Sequence, residues 1–290
     1  MFPRDPRLHA FREDLADERL KGEVTAQRFV QGEKRRVNVP VAALFKENNN
    51  KSEMQTECLF GEELLVFEHG EEMSWAQSTK DGYVGYIETK ALCTATVEPT
   101  HIVTAPRTFQ YSQADLRGPV EYPLSIGSKV SVVNEVEVRG TKYSILENGG
   151  AIVSCHLSPI GKIVYKDYVD VAERLIHTPY RWGGTSSFGI DCSGLVQVSM
   201  AMAGQVVLRD SDMQQQTIGN PLSEDDKLRR GDLIFWKGHV AIMVDHENII
   251  HANGSSMDVM VEPLERAVTR MAQKCQRHPI ERRRPTTLGI

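Results

Sequence analysis

Hydrophobic and polar residues follow different patterns in three parts of the chain. Residues 8–21 place Leu8, Phe11, Leu15 and Leu20 at helical spacing between charges, which predicts an amphipathic helix. From about 37 to 158 the pattern becomes short runs rich in Val, Ile, Tyr and Thr, separated by Gly, Asn and Asp. Such runs predict short strands in small β-barrels, as at Leu64–Phe67, Tyr83–Ile87, Lys129–Val133, Lys142–Leu146 and Ala151–Ser154.

A weak internal repeat lies within this β-rich region. The segments LFGEELLVFEHG (59–70) and LSIGSKVSVVNE (124–135) each place a Leu and then a Gly before an apolar strand. The segments DGYVGYIETKAL and NGGAIVSCHLSP follow them, so the offset is about 66 residues, the size of one small barrel. We therefore predict an N-terminal helical segment at 1–29 and two barrels at 30–97 and 98–158.

After Pro159 the pattern predicts helices followed by strands. Helical periodicity runs through YKDYVDVAERLIHTPY and ends at Pro179. A second helix is predicted from Cys192 to about Ala203, ended by Gly204. Strands are predicted at DLIFW, HVAIMVD and NIIHAN. Residues 159–290 are thus predicted to form an α+β domain.

Composition and charge narrow the classes of function. The 290 residues are 40% hydrophobic and 25% charged, and the net charge of −5 gives no reason to expect nucleic acid or membrane as a partner. The N-terminus has no apolar signal core, so we expect a cytoplasmic protein. The basic residues Arg277, Arg282, Arg283 and Arg284 predict a solvated tail. The oligomeric state is left open.

The five cysteines are scattered and include no C-x-x-C pair, which argues against disulfides and zinc, so we expect no metal and no cofactor. One of them, Cys192, follows Asp191 in WGGTSSFGIDCSGLVQ (182–197). Asp191 can cap the predicted helix, and Cys192 then lies in its first turn, where the partial positive charge favours a thiolate. The Cys192 N–H is there available for an oxyanion.

A thiol also needs a base, and two histidines are candidates. His239 opens one predicted strand and His251 lies in the next. If the loop between these strands has an odd number of residues, both rings point to one face. His239 could then be the general base for Cys192, with His251 orienting it. On these residues alone, a small core cysteine and packed histidines remain equally good interpretations.

Six short motifs resemble those of NlpC-type papain-like cysteine peptidases in order and spacing. They are PYRWGG, DCSGLV, RDS, GDLIFW, GHVAIMV and IIHAN, and together they cover roughly 160–265. The barrels resemble the bacterial SH3-like modules that precede this domain in several members, mainly through FGEEL and DGYVGYI. The resemblance implies an α+β fold: a papain-like catalytic domain of helices and antiparallel sheet, preceded by two SH3-like barrels.

The resemblance also implies roles for individual residues. Cys192 would be the nucleophile, His239 the base and His251 the residue that orients it, while the Tyr180 hydroxyl would help to stabilise the oxyanion. The implied substrate is a peptidoglycan stem peptide, cut between γ-D-glutamate and a diamino acid. The reaction would be acyl transfer to Cys192 and then hydrolysis of the thioester.

The same resemblance places the RDS element at the subsite that receives the free amine of an N-terminal L-Ala. A buried ammonium needs a carboxylate partner, which Asp210 could supply. Such an enzyme would act on released peptides, as in cytoplasmic cell-wall recycling. The predicted substrate-binding residues are Asp210, Ser211, Asp191, Ser193, Trp182 and, from the first barrel, Glu62 and Tyr83.

Two other functions remain open at the level of sequence. One is an amidase or acyltransferase that uses the same Cys, His and His residues. The other is a cell-wall binding protein in which the barrels attach the chain and catalysis is vestigial.

Overall fold

The computed structural model describes residues 4–275 and 281–286. The chain divides into two units, one ending at Lys162 and the other beginning at Ile163. The predicted start of the catalytic domain, residue 159, lies close to this division. Among the described residues, no helix is both long and apolar enough to cross a lipid bilayer.

The first half of the first unit is built from short antiparallel strands, apart from a parallel pair, β1 and β2, at its start. The strands are β1 Leu15–Asp17, β2 Arg28–Val30, β3 Glu33–Val37, β4 Val41–Phe45, β5 Met54–Leu59, β6 Glu63–Glu68, β7 Met73–Ser78, β8 Val84–Glu88 and β9 Leu92–Thr94. Seven of them form a sheet in the order β5-β4-β8-β7-β6-β3-β9. Alternate residues point inward, so that Leu44, Leu64, Val66 and Ile87 share one core.

The predicted N-terminal helix is wrong. Residues 8–21 contain β1 and a short 3-10 helix, Glu18–Leu20. The three consecutive residues Leu15, Ala16 and Asp17 are all buried, and at about 100° per residue they would span more of a helix than one apolar face covers. Leu15 packs with Phe67 and Trp75 of the following sheet. Contacts with that sheet therefore override the local periodicity.

The second half of the first unit repeats this plan with eight strands. They are β10 His101–Val103, β11 Arg107–Tyr111, β12 Val120–Ser125, β13 Lys129–Val130, β14 Val132–Val138, β15 Thr141–Leu146, β16 Ala151–Val153 and β17 Leu157–Pro159. They form a five-stranded sheet, β12-β11-β16-β15-β14, and a three-stranded sheet, β13-β10-β17. A second apolar core contains Val103, Leu124, Leu146 and Ile152.

The internal repeat seen in the sequence is also present in the hydrogen bonds. Gly61 donates its N–H to Val37 O, and Gly127 donates its N–H to Val103 O. The donor and the acceptor of the second bond each lie about 66 positions after those of the first. Both glycines have positive φ, 77° and 91°, which explains the residue type at these turns. The predicted strands of this region are confirmed; that the second half is an SH3-like barrel stays a prediction.

The second unit contains all four α-helices that the described residues form. They are α1 Tyr168–Glu173, α2 Cys192–Met202, α3 Ser211–Thr217 and α4 Leu264–Cys275. The strands are β18 Thr185–Ser186, β19 Gly189–Ile190, β20 Asn220–Pro221, β21 Leu233–Trp236, β22 His239–Met243, β23 Asn248–Asn253, β24 Asp258–Pro263 and β25 Glu281–Arg284. Six form an antiparallel sheet, β20-β25-β21-β22-β23-β24, which with the helices confirms the α+β prediction.

The basic residues near the C-terminus belong to this sheet. β25 lies between β20 and β21, and Arg284 makes two bonds of 2.8 Å to the buried carboxylate of Asp232. Arg283 donates to Ile218 O at 2.6 Å. The prediction of a solvated tail is therefore wrong for Arg282, Arg283 and Arg284, because strand pairing and a buried acid hold them; Arg277 lies outside the described residues.

Candidate active site

Helix α2 begins at the predicted nucleophile. Asp191 is the N-cap, and its Oδ1 accepts the Gly194 N–H at 2.7 Å, as the sequence predicts. Its Oδ2 accepts the Gly183 N–H at 2.9 Å. One carboxylate thus joins the helix start to the preceding WGG segment and fixes where Cys192 lies.

The glycines around Cys192 allow a close approach of two backbone segments. A Cβ on Gly194 would lie 2.2 Å from Gly184 O, and a Cβ on Gly184 would lie 2.4 Å from Gly189 O. Real side chains do not tolerate such distances, so each position requires glycine. Gly184, in the PYRWGG motif, therefore allows two backbone segments to pack closely.

Arg209 supports the helix start, and the sequence analysis assigned it no role. Its side chain is 1% exposed and bonds both oxygens of Asp191, at 3.0 and 2.6 Å. It also donates to Ser193 Oγ at 2.8 Å. Burying the Asp191 carboxylate without such a partner would cost several kcal/mol, so the Arg of the RDS motif makes the charged cap possible.

The two predicted histidines meet on one face of the sheet. Ile242 pairs with Ile250 and Met243 with Ile249, and the Val244 N–H donates to Asn248 O, so three residues form the hairpin loop. This odd number confirms the predicted parity. His239 Nε2 lies 2.9 Å from His251 Nδ1, and both rings are buried.

Cys192 lies against the start of the strand that carries His239. The backbone N–H of Val240, the residue after His239, hydrogen-bonds the Cys192 sulfur. Burial raises the pKa of the Cys192 thiol to about 12, and the Asp191 carboxylate acts in the same direction. The N–H groups of Val240 and Ser193 and the charge of Arg209 lower the pKa but do not outweigh burial.

Burial of Cys192 thus opposes the thiolate that the helix start was expected to favour. Helix α2 supplies only part of the stabilisation that a buried anion needs, because few polar groups replace the lost water. A neutral thiol would need a base to take its proton before it could act as a nucleophile. His239 directly precedes Val240, whose N–H contacts the Cys192 sulfur, so its imidazole is the candidate base.

Tyr180 lies beside Cys192. It is half-buried, forms a bridge with Ile190, and donates its N–H to Met257 O at 2.8 Å. Burial raises the pKa of the Tyr180 phenol, and Cys192 and Asp191 raise it further. The hydroxyl therefore stays protonated and is able to donate a hydrogen bond to a developing oxyanion.

Two further charged residues, Glu262 and Arg270, extend the series of buried hydrogen bonds from His239 and His251, and the sequence analysis did not identify them. His251 Nε2 lies 2.9 Å from Glu262 Oε1, and Arg270 holds the same carboxylate, with Nη1 at 2.5 Å from Oε2 and Nη2 on Oε1. Burial by itself would raise the pKa of Glu262, but the bonds from Arg270 and His251 lower it to about 2. DVMVEP was not among the strands predicted from the sequence, so no sequence signal placed Glu262 beside His251.

The predicted substrate-binding residues of this unit differ in their surroundings. Asp210 is the N-cap of α3, yet its side chain does not cap the helix, and Ser211 is the first residue of that helix. Trp182 is 60% exposed beside the buried glycines. Asp191 and Ser193 are buried and engaged with Arg209. These contacts give Asp191 and Ser193 a positioning role; direct contact of any of the four with substrate stays a prediction.

Glu62 and Tyr83 of the first unit are both buried. Glu62 accepts the Leu59 N–H at 3.0 Å and forms an ion pair with Lys80 at 3.1 Å. The Tyr83 N–H donates to Asp81 at 3.1 Å. The Glu62 charge is thus already neutralised within its own unit, and the predicted part of Glu62 and Tyr83 in a substrate subsite stays a prediction.

Within residues 4–275 and 281–286, no group of three His, Cys, Asp or Glu side chains has an arrangement that could hold a metal ion. The four cysteines described in full, Cys58, Cys93, Cys155 and Cys192, are free thiols.

Two parts of the chain match known protein families. Residues 177–277 match the NlpC/P60 family, and residues 44–92 match the bacterial dipeptidyl-peptidase Sh3 domain. Dipeptidyl-peptidase 6 of Lysinibacillus sphaericus is 37% identical over 102 residues, which are 34% of this chain and 36% of that protein. The chain thus spans about a third of the length of this relative.

A curated relative and a solved structure, both from Bacillus cereus, match most of the chain. A gamma-D-glutamyl-L-lysine dipeptidyl-peptidase is 26% identical over 248 residues, covering 74% of this chain and 72% of that protein. The crystal structure of an NlpC/P60 family protein superposes with a TM-score of 0.71 at 22% identity, covering 87% of this chain and 99% of that one. At this identity the superposition shows a shared fold. The chain therefore carries an NlpC/P60 domain, preceded in sequence by a bacterial SH3 domain of the dipeptidyl-peptidase type.

Proposed function

We propose that this protein is a cysteine peptidase in which Cys192 is the nucleophile and His239 the general base. The observation that carries the proposal is the convergence of three elements: the start of α2, which holds Cys192, and the strands β22 and β23, which hold His239 and His251. Burial raises the pKa of the Cys192 thiol, and the neighbouring strand β22 carries the imidazole of His239. General-base activation of a thiol requires this arrangement.

The reaction proceeds in two acyl-transfer steps. His239 takes the Cys192 proton while the sulfur attacks the carbonyl carbon, and the first-turn N–H of α2 and the Tyr180 hydroxyl receive the oxyanion. The imidazolium then protonates the leaving amine, which leaves a thioester on Cys192. Water attacks the thioester with His239 again as base, and the thiol is restored.

We propose a peptidoglycan stem peptide as substrate, cut between γ-D-glutamate and the diamino acid. The name of the Bacillus cereus relative, a gamma-D-glutamyl-L-lysine dipeptidyl-peptidase, and the family of the catalytic domain support this choice. We further propose that Asp210 pairs with the free amine of an N-terminal L-Ala. A requirement for that amine restricts the enzyme to released peptides, so cell-wall recycling in the cytoplasm is the proposed role.

The test is hydrolysis of L-Ala-γ-D-Glu-meso-diaminopimelate and of its L-Lys counterpart, followed by mass spectrometry. We expect L-Ala-D-Glu from the wild type and none from Cys192→Ala. Cys93→Ala, which removes an exposed thiol of the first unit, is the matched control and should keep full activity. Equal product from the wild type and Cys192→Ala would refute the proposed catalysis.

Acetylation of the substrate amine tests the finer proposal. An acetylated amine carries no charge for Asp210, so turnover should fall by two orders of magnitude or more, taking about 3 kcal/mol for a lost buried ion pair. Unchanged turnover would instead favour an amidase or acyltransferase with the same residues. Tight binding of the peptide without any turnover would favour a cell-wall binding protein.

A further inference from the structure

The hydrogen-bonded chain that starts at His239 continues past His251 to two charged residues. His251 lies opposite Met260 and Ile249 lies opposite Glu262 in the antiparallel pair β23–β24, so His251 and Glu262 are diagonal neighbours on one face. The side chain of His251 is 0% exposed and that of Glu262 is 1% exposed. Arg270, on helix α4, closes the chain with two bonds to Glu262.

The carboxylate decides the direction of each hydrogen bond. An ionised Glu262 has only acceptor atoms, so His251 must donate from Nε2. In a neutral His251 the other nitrogen, Nδ1, is then an acceptor, and it accepts a hydrogen bond from the N–H at Nε2 of His239. His239 Nδ1 is thereby left with a lone pair, which is what a general base needs.

The protonated form of His251 would reverse this direction. An imidazolium donates from both nitrogens, so His251 Nδ1–H would bond to His239 Nε2 and move the His239 proton to Nδ1. His239 could then no longer accept the proton of Cys192. A lone buried carboxylate at Glu262 would favour this form, because it attracts a second proton to His251. The positive charge of Arg270 opposes that attraction.

We propose that Glu262 and Arg270 are positioning residues that together keep His251 neutral with its proton on Nε2, so that Nδ1 of His239 is free to act as the base. Glu262 fixes the direction of the hydrogen bonds between the two histidines, and Arg270 balances the negative charge of Glu262. The inference rests on the proposed use of Cys192 and His239 in catalysis.

The charged and titratable groups around His251 come from four elements. β22 contributes His239, β24 contributes Glu262, and α4 contributes Arg270 and Arg266, whose Nε is 3.9 Å from Glu262 Oε2. Helix α2, which packs against β23, contributes Cys192, and the Asp191 before it is paired with Arg209. Of the two arginines on α4, Arg270 makes hydrogen bonds to Glu262, whereas the Arg266 side chain is 73% exposed.

The test is the pH profile of kcat and kcat/KM for Arg270→Met. We expect the acid limb to move to higher pH by about one unit, so that the rate on that limb falls about tenfold while KM and the rate at high pH change little. Arg270→Lys restores the charge and should return the limb to the wild-type position. Arg266→Gln is the matched control on the same helix face and should leave the profile unchanged.

The double variant Glu262→Gln/Arg270→Met separates charge from shape. It removes both charges, and the carbonyl oxygen of the introduced glutamine can still accept the His251 proton, so the acid limb should return towards that of the wild type. A folded Arg270→Met protein with an unshifted acid limb would overturn the proposal. A uniform loss of rate at every pH, not repaired in the double variant, would show a purely structural role and overturn it as well.

A measurement on the wild type covers the case in which the variants do not fold. Histidine ring 15N NMR, assigned by the signals lost in His239→Gln and His251→Gln, should show both residues protonated on Nε2 and bare on Nδ1. The opposite tautomer at either residue would refute the inference even if Cys192-dependent hydrolysis is observed. Conversely, the expected tautomers in a protein without hydrolytic activity would refute the proposed function and leave the assignment of Glu262 and Arg270 in place.

Discussion

Replacement of Arg209 by Met tests whether the buried ion pair with Asp191 holds the start of helix α2 in place. Arg209 is 1% exposed and gives its guanidinium to both oxygens of Asp191, to Ser193 Oγ and, at 3.4 Å, to Gly184 O. Methionine fills much of the same volume but has no charge and no donors. The Asp191 carboxylate would keep only its bonds to local N–H and hydroxyl groups.

The size of the expected loss of stability depends on the burial of the ion pair rather than on the number of its contacts. Removing one partner of a buried pair destabilises a protein by about 3–5 kcal/mol, because the other charge is left uncompensated. At about 2–4 °C per kcal/mol, the melting temperature of the second unit should fall by roughly 6–20 °C. The pKa of Cys192 should also rise further, because Arg209 lowers it and Asp191 raises it.

Urea and thermal unfolding, followed by circular dichroism at neutral pH, measure this effect. Arg230→Met is the control, since Arg230 bonds three carboxylates, those of Asp167, Asp170 and Glu173, but is 35% exposed. Exposed pairs of this kind contribute about 0–1 kcal/mol each. The double variant Asp191→Asn/Arg209→Met should regain part of the loss, because neither charge is then left alone. If Arg209→Met is no less stable than Arg230→Met, the reasoning from burial is wrong.

Two other substitutions have outcomes that the structure determines. Gly194→Ala should lower the free energy of unfolding by several kcal/mol and reduce hydrolysis by at least about a hundredfold, because the new Cβ would lie 2.2 Å from Gly184 O and must displace the start of α2. Gly254→Ala is the control: its new Cβ has no atom within 4 Å, so the free energy of unfolding should change by less than about 0.5 kcal/mol. For Glu262, whose pKa is lowered from 4.5 to about 2, the stabilisation is fully present above about pH 4.5 and is lost as the pH falls towards 2. Glu262→Gln should therefore be less stable than the wild type by on the order of 2–3 kcal/mol at pH 7, and the difference should shrink in urea melts at pH 3; a difference that does not depend on pH would contradict this.

The sequence by itself determined the parts of the site that depend on neighbouring residues. An Asp before a Cys and an apolar run is sufficient to place the start of α2, because a cap bonds groups within one turn. The shared face of His239 and His251 follows from strand parity and the length of the hairpin loop. Short motifs in the right order predicted an NlpC-type domain, and residues 177–277 match the NlpC/P60 family.

Only the tertiary structure decided which groups are buried together. Residues 8–21 have a helical pattern yet form a strand and a 3-10 turn, because Leu15 packs against Phe67 and Trp75. The partnership of Arg209 with Asp191 joins positions that no local periodicity relates. The state of the Cys192 thiol was likewise not readable from the chain: the helix start favours a thiolate, but removal of water raises the pKa, and the amount of water removed depends on every element packed around the sulfur.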